Sequence, residues 1–216
     1  MEVIVGESQS GDTSKNQSSA ESLNAENTTG QNNKKFDLES SGVLVKQEEV
    51  NWDIIKSEVE TLYLSVPTMT MDLYNQDINK DDILSFNKEF DNLATVIKDE
   101  KKVETLENLS KVYDYLPKFL QQEDELYKTI VETKSNIFKA YAKLDSGNWG
   151  EISDNIKNAI NIYAKLLTNP NIETNKQYSI NKGYIMLNEL KNATDIQDTS
   201  VFLIKYKNLL EEIDNI

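Results

Sequence analysis

Trp52-Asp53-Ile54-Ile55-Lys56-Ser57-Glu58-Val59-Glu60-Thr61-Leu62-Tyr63-Leu64-Ser65-Val66-Pro67-Thr68-Met69-Thr70-Met71-Asp72-Leu73 is the stretch whose reading decides the fold class. Its apolar positions Trp52, Ile55, Val59, Leu62, Val66, Met69 and Leu73 recur at alternating spacings of three and four. That is the seam of an amphipathic helix burying one stripe. The pattern predicts a helix starting near Lys46 to Asn51 and ending near Tyr74-Asn75, with the other helices built to cover it. Pro67 lies inside it, where proline removes a backbone donor and crowds the preceding turn, at about 3 kcal/mol relative to alanine. A kink near Tyr63 to Pro67 is therefore expected, and the kink is the first place to look for function.

Working outward, the same stripe repeats. Ile83, Phe86, Phe90, Leu93 and Ile97 form a second one, opened by Asn79 or Asp81 as N-cap. Leu106, Leu109, Tyr113, Leu116 and Leu120 form a third, which Pro117 interrupts, so a break is expected between Leu116 and Asp124. A fourth carries Leu126, Ile130, Ile137, Tyr141 and Leu144, and Asp145-Ser146-Gly147 closes it. The fifth opens at Asn148-Trp149-Gly150-Glu151, close to a capping box, and carries Trp149, Ile152, Ile156, Ala159, Tyr163 and Leu166. A sixth runs over about Glu173 to Asn192, and the last, opened by Asp198 or Thr199, carries Phe202, Tyr206, Leu209 and Ile213. No alternating strand pattern competes with these. The expected fold is all-α, an antiparallel helical bundle of about six to seven helical segments. Asn51-Trp52 and Asn148-Trp149 begin stripes in the same phase, but ordinary core patterning accounts for that more simply than duplication.

Residues 1–44 differ in composition. Serine, asparagine, glutamine, threonine and glycine dominate, and Phe36 is the one aromatic residue before Trp52. Such a segment buries too little apolar area to offset its ordering entropy, so 1–44 is read as a disordered polar tether and 45–216 as the helical bundle domain. The start, Met1-Glu2-Val3-Ile4-Val5, lacks the basic leader and long apolar core of a signal peptide.

Charge narrows the chemistry. The chain carries net charge −14, all 23 basic residues are lysine, and histidine and cysteine are absent. Without arginine there is no planar fork for phosphate, and an acidic surface repels a polyanion, so no nucleic-acid partner is expected. Without histidine or cysteine the usual zinc, haem, copper and iron–sulfur ligand sets cannot be assembled. The common near-neutral base and the thiolate nucleophile are missing as well. No catalytic residue, metal ligand or cofactor is assigned, and an enzyme is not expected.

Three constellations come closest to chemistry. Asp77-x-Asn79-x-Asp81 matches the first three ligand positions of an EF-hand calcium loop, but Asp82 stands where glycine is needed and Lys88 where the bidentate glutamate belongs. Turn and helix-cap duty is the favoured reading. The acidic pairs Glu58/Glu60 and Glu123/Glu125 are read as solvated faces, since the di-metal bundles need a Glu-x-x-His pair. Ten tyrosines lie in the helical part, with Tyr63, Tyr113, Tyr141, Tyr163 and Tyr206 on or beside the stripes. They are expected to pack their rings at the core edge with hydroxyls reaching water or backbone, rather than to line a ligand pocket.

Gly147-Asn148-Trp149-Gly150-Glu151 and the runs Ile180-Asn181-Lys182-Gly183-Tyr184 and Phe202-Leu203-Ile204-Lys205-Tyr206 resemble the small all-helical lipoproteins of unknown function from low-GC Gram-positive bacteria. The resemblance spans about residues 50–216. It implies synthesis with a signal peptide and a lipid-carrying cysteine, Met1 standing just after the position of that cysteine, and residues 1–44 serving as the tether. The expectation is a non-enzymatic, extracytoplasmic helical module that binds a partner protein or small ligand and meets the membrane only through that anchor. The alternatives are a metal- or solute-capturing bundle similar in architecture to imelysin-like proteins, a carboxylate-based cell-wall hydrolase, and a cytoplasmic structural protein.

Overall fold

The computed structural model describes residues 50–120 and 125–216. The disordered tether expected over 1–44 lies outside the described residues, as do Glu123 and Asp124. The described part is all-α, a bundle of eight helical segments with no strand among the described residues. They are α1 (Trp52–Asn75), α2 (Lys80–Lys98), α3 (Lys102–Tyr113), α4 (Leu116–Phe119), α5 (Glu125–Ala142), α6 (Trp149–Leu167), α7 (Gln177–Ile196) and α8 (Thr199–Ile213). No described helix is long and apolar enough to cross a membrane.

Local chemistry sets most of these boundaries. Asn51 caps α1, its Oδ1 accepting from the Ile54 N–H at 3.2 Å. Asn79 caps α2 by accepting from the Asp81 and Asp82 N–H groups at 2.8 and 3.4 Å. Asn148 and Asp198 do the same for α6 and α8, accepting from the N–H groups of Glu151 at 3.3 Å and Val201 at 2.9 Å. Gly147 takes φ +65° in the turn before α6, a conformation glycine adopts without steric cost.

The third stripe divides earlier than expected. Proline's ring clashes with the carbonyl four residues before it, here Tyr113, so α3 stops at Tyr113 and Pro117 starts the single turn of α4. This adds one segment to the expected six or seven. The sixth predicted helix is displaced four residues toward the C-terminus, to Gln177–Ile196, and ends on Gln197 in the left-handed region at φ +59°.

The main core lies among α5, α6, α7 and α8, each packing on the next. Ile137, Ile152, Ile156, Tyr163, Leu187 and Phe202 are completely buried there. A smaller core gathers Phe86, Phe90, Leu93 and Ile97 of α2 with Val112 of α3. Leu73, Ile78 and Ile83 close the α1–α2 turn against Phe119.

The organising role expected for Trp52–Leu73 is not what forms. In α1 only Leu73 is buried, while Ile55, Val59, Val66 and Met69 are half-buried against the α2 core. Leu62, a member of the expected seam, is 51% exposed, and Tyr63 turns inward in its place, its ring 4.7 Å from that of Phe90. The physical reason is coverage: α1 packs chiefly on α2, so one side of it is contacted and the rest is left to solvent. The helix also runs through Pro67 as one element. Proline has no N–H, so the Tyr63 carbonyl does not receive its usual helical bond.

Candidate functional site

The sequence-singled residues separate rather than converge. Asn79 is committed to capping α2, and Asp77 sits in the preceding turn at φ +59°. Among the described residues no three carboxylates come together as a metal would require. Glu58, Glu60 and Glu125 are exposed, as expected of solvated faces, and Glu123 is outside the described residues.

The tyrosines split three ways. The Tyr63 hydroxyl donates to Asp91 Oδ1 at 2.8 Å, and burial, followed by the Asp91 carboxylate, pushes its pKa up to about 12. Tyr141 and Tyr206 stack with centroids 4.9 Å apart, and burial raises both above the ordinary phenol range. Tyr163 departs from the expectation of an edge position. It is fully buried, and its hydroxyl has no hydrogen-bond partner among the described residues. It lies against α7 where Gly183 leaves room: a Cβ there would stand 2.3 Å from the hydroxyl oxygen. Burial, with Glu212 nearby, pushes the Tyr163 pKa up as well. None of these hydroxyls lines a cavity among the described pockets.

The largest described cleft, about 520 Å³, runs between α3–α4 and α5. Part of its polar lining is already held in pairs. Asp114 Oδ1 accepts from the Ser135 hydroxyl and from Lys139 Nζ, both at 2.7 Å. Lys118 Nζ reaches Asp82 at 2.6 Å and lies 4.7 Å from the Tyr115 ring centroid. A carboxylate is a weak base toward a serine hydroxyl, and this one also neutralises a lysine, so the trio joins helices rather than activating a nucleophile.

The outward face of α1 is set apart by a run without charge. Residues 61–71, Thr-Leu-Tyr-Leu-Ser-Val-Pro-Thr-Met-Thr-Met, include no charged side chain, in a chain of which 28% is charged. Leu64 is 82% exposed and Met71 61% exposed, and Pro67 is exposed between them. Asp53 and Glu60 precede Leu64 and Met71 at steps of seven, four and seven, so all four share one side of the helix. The stripe is acidic in its first half, apolar in its second, and spans about 27 Å at 1.5 Å per residue. At its acidic end a shallow notch is lined by Asn51, Trp52, Asp53 and Glu100. Sequence reasoning located this region through Pro67 but expected a covered stripe. The signal available was the uncharged run itself, which a one-sided core does not require.

No protein-family model matches the chain, and no curated protein or solved structure matches it either.

Proposed function

We propose that this chain is a non-enzymatic binding module, held outside the cytoplasm by a lipid anchor on its precursor, that engages a partner protein through the outward face of α1. The observation that carries this reading is the uncharged run 61–71 with Leu64 and Met71 turned to solvent on a helix otherwise seated on α2. Exposed apolar side chains arranged in a stripe, rather than scattered singly, mark an interaction surface. The pairing of Asp114 with Ser135 and Lys139, and of Lys118 with Asp82, at the α3–α5 cleft favours a surface contact over an enclosed ligand. The resemblance to helical lipoproteins and the polar composition of residues 1–44 support the location.

Two measurements test it. A photo-crosslinking side chain placed at Leu64 in the producing cell is expected to give a discrete protein adduct, while the same group at exposed Asn158 on α6 gives none. Equal or absent adducts at the two positions would remove the binding role of α1. Metabolic labelling with a fatty acid is expected to mark the full-length gene product, and an unlabelled cytosolic product would contradict the location.

A further inference from the structure

We infer that the partner presents to α1 an amphipathic helix that is basic at one end and apolar at the other; this rests on the binding role proposed above. The α1 stripe fixes that chemistry. Its apolar half, Leu64 to Met71, needs an apolar ridge of matching spacing, because burying these side chains is what drives such contacts. Its acidic half needs cations. Asp53, Glu58, Glu60 and Asp72 are the carboxylates of α1, and its one lysine, Lys56, is bound 2.5 Å from Glu100.

The notch at the start of α1 sharpens the requirement. Trp52, Asp53 and Glu100 line it together. A lysine or arginine entering there gains Coulomb attraction from Asp53, while Glu100 is already paired with Lys56. Notch, Glu60, Leu64 and Met71 follow one another along α1, so a helix of about eighteen residues covers them all.

The other occupants fit less well. A second copy in a two-fold antiparallel contact lays its acidic half on the apolar half of its neighbour, desolvating carboxylates without partners. A parallel contact opposes acid to acid on molecules of charge −14. Residues 1–44 are themselves net acidic, and anionic lipid is repelled by the first half of the stripe.

The test uses the full chain, labelled for NMR, and three synthetic peptides. The first is a helix with leucines at steps of seven and four and lysines at the opposite end. The second replaces its lysines with glutamate, and the third scrambles its order. Saturable binding of the first alone is expected, with amide shifts centred on Asp53, Glu60, Leu64 and Met71. Leu64→Gln/Met71→Gln and, separately, Glu60→Lys should each weaken it about tenfold, as loss of an interface anchor does. The same charge change at exposed Asp154 on α6 should leave affinity within about twofold, as expected for a charge remote from the contact. Equal loss from Asp154→Lys, binding of the scrambled peptide, or shifts centred elsewhere would overturn the inference. So would sedimentation of a dimer lost on Leu64→Gln/Met71→Gln, or contacts from residues 1–49 to Leu64 in the free chain. If the peptides fail while Leu64 still crosslinks in the cell, the partner chemistry falls and the binding role stands. If both fail, the binding role falls with it.

Discussion

Tyr163 on α6 and Gly183 on α7 meet at close range inside the main core. The Tyr163 hydroxyl is buried without a partner among the described residues, and Gly183 is the space it occupies. Tyr163→Phe should therefore raise stability by about 1 kcal/mol, since it removes a desolvated group that makes no bond. Gly183→Ala gains helix propensity but drives a Cβ to within 2.3 Å of the hydroxyl, and the overlap wins. A loss of about 1–3 kcal/mol is expected, as for other overpacked cores, and a smaller one in the Tyr163→Phe background. Urea denaturation of the two single variants and the double variant measures all three. This contact was not legible in the sequence, because it joins positions on two different helices that no local pattern links.

Alkaline pH tests the same tyrosines together. Tyr63, Tyr113, Tyr141, Tyr163 and Tyr206 all hold their protons more tightly in the fold than in the unfolded chain, chiefly through burial. A folded pKa raised above the unfolded value gives stability that is complete below the unfolded pKa and is lost above it. Stability should stay level to about pH 10, the ordinary phenol value, and fall steeply beyond it. Tyrosinate absorbance should rise in step with loss of helical circular dichroism, and Tyr63→Phe should make the fall shallower toward pH 12. Full tyrosinate formation in a chain still folded would contradict the burial described.

At the scale of the element, α1 and α6 make a natural comparison. Both begin with an asparagine cap followed by tryptophan, and in both the side-chain oxygen accepts the N–H three residues on. Their stripes look alike in sequence, yet Ile152 and Ile156 are fully buried while Ile55 and Val59 are only half-buried. Asn148→Ala should cost about 1 kcal/mol of global stability, because α6 belongs to the main core. Asn51→Ala should speed hydrogen exchange in the first turn of α1 and leave the global unfolding midpoint in place, because α1 opens locally. Equal effects on the midpoint would mean that α1 is as integral as α6.

This comparison also marks how far the sequence could be read. Caps and stripes report which residues start a helix and which face is apolar, and Asn79, Asn148 and Asp198 cap as their positions suggested. A three-four stripe does not report how many neighbours cover it. It also leaves the phase open by one residue where two apolar side chains adjoin, which is how Tyr63 displaces Leu62 from the α1 seam. The candidate surface was legible as an uncharged run about Pro67, but its exposure depends on which helices pack there, and that is set by the whole bundle.

At the scale of the molecule, stability and interaction are assigned to different ends of the described chain. The core of α5–α8 excludes water almost completely, and α1 contributes a half-covered seam and an open outward face. Lysine–carboxylate pairs such as Lys182–Glu212, Lys205–Glu189 and Lys143–Glu107 join neighbouring helices at the surface. Such exposed pairs contribute little singly, so the fold rests on its apolar core. The α1 face then stands outside the forces that hold the fold together.

Thermal unfolding of the full chain carrying Leu64→Gln and Met71→Gln tests that separation most directly, since glutamine keeps a comparable helix propensity. If the outward face of α1 plays no part in holding the fold, the unfolding free energy stays within about 0.5 kcal/mol of the parent, as for other surface substitutions. A loss of about 2 kcal/mol or more, the size expected when buried side chains are replaced, would contradict the account, because Leu64 and Met71 would then already be covered within the chain.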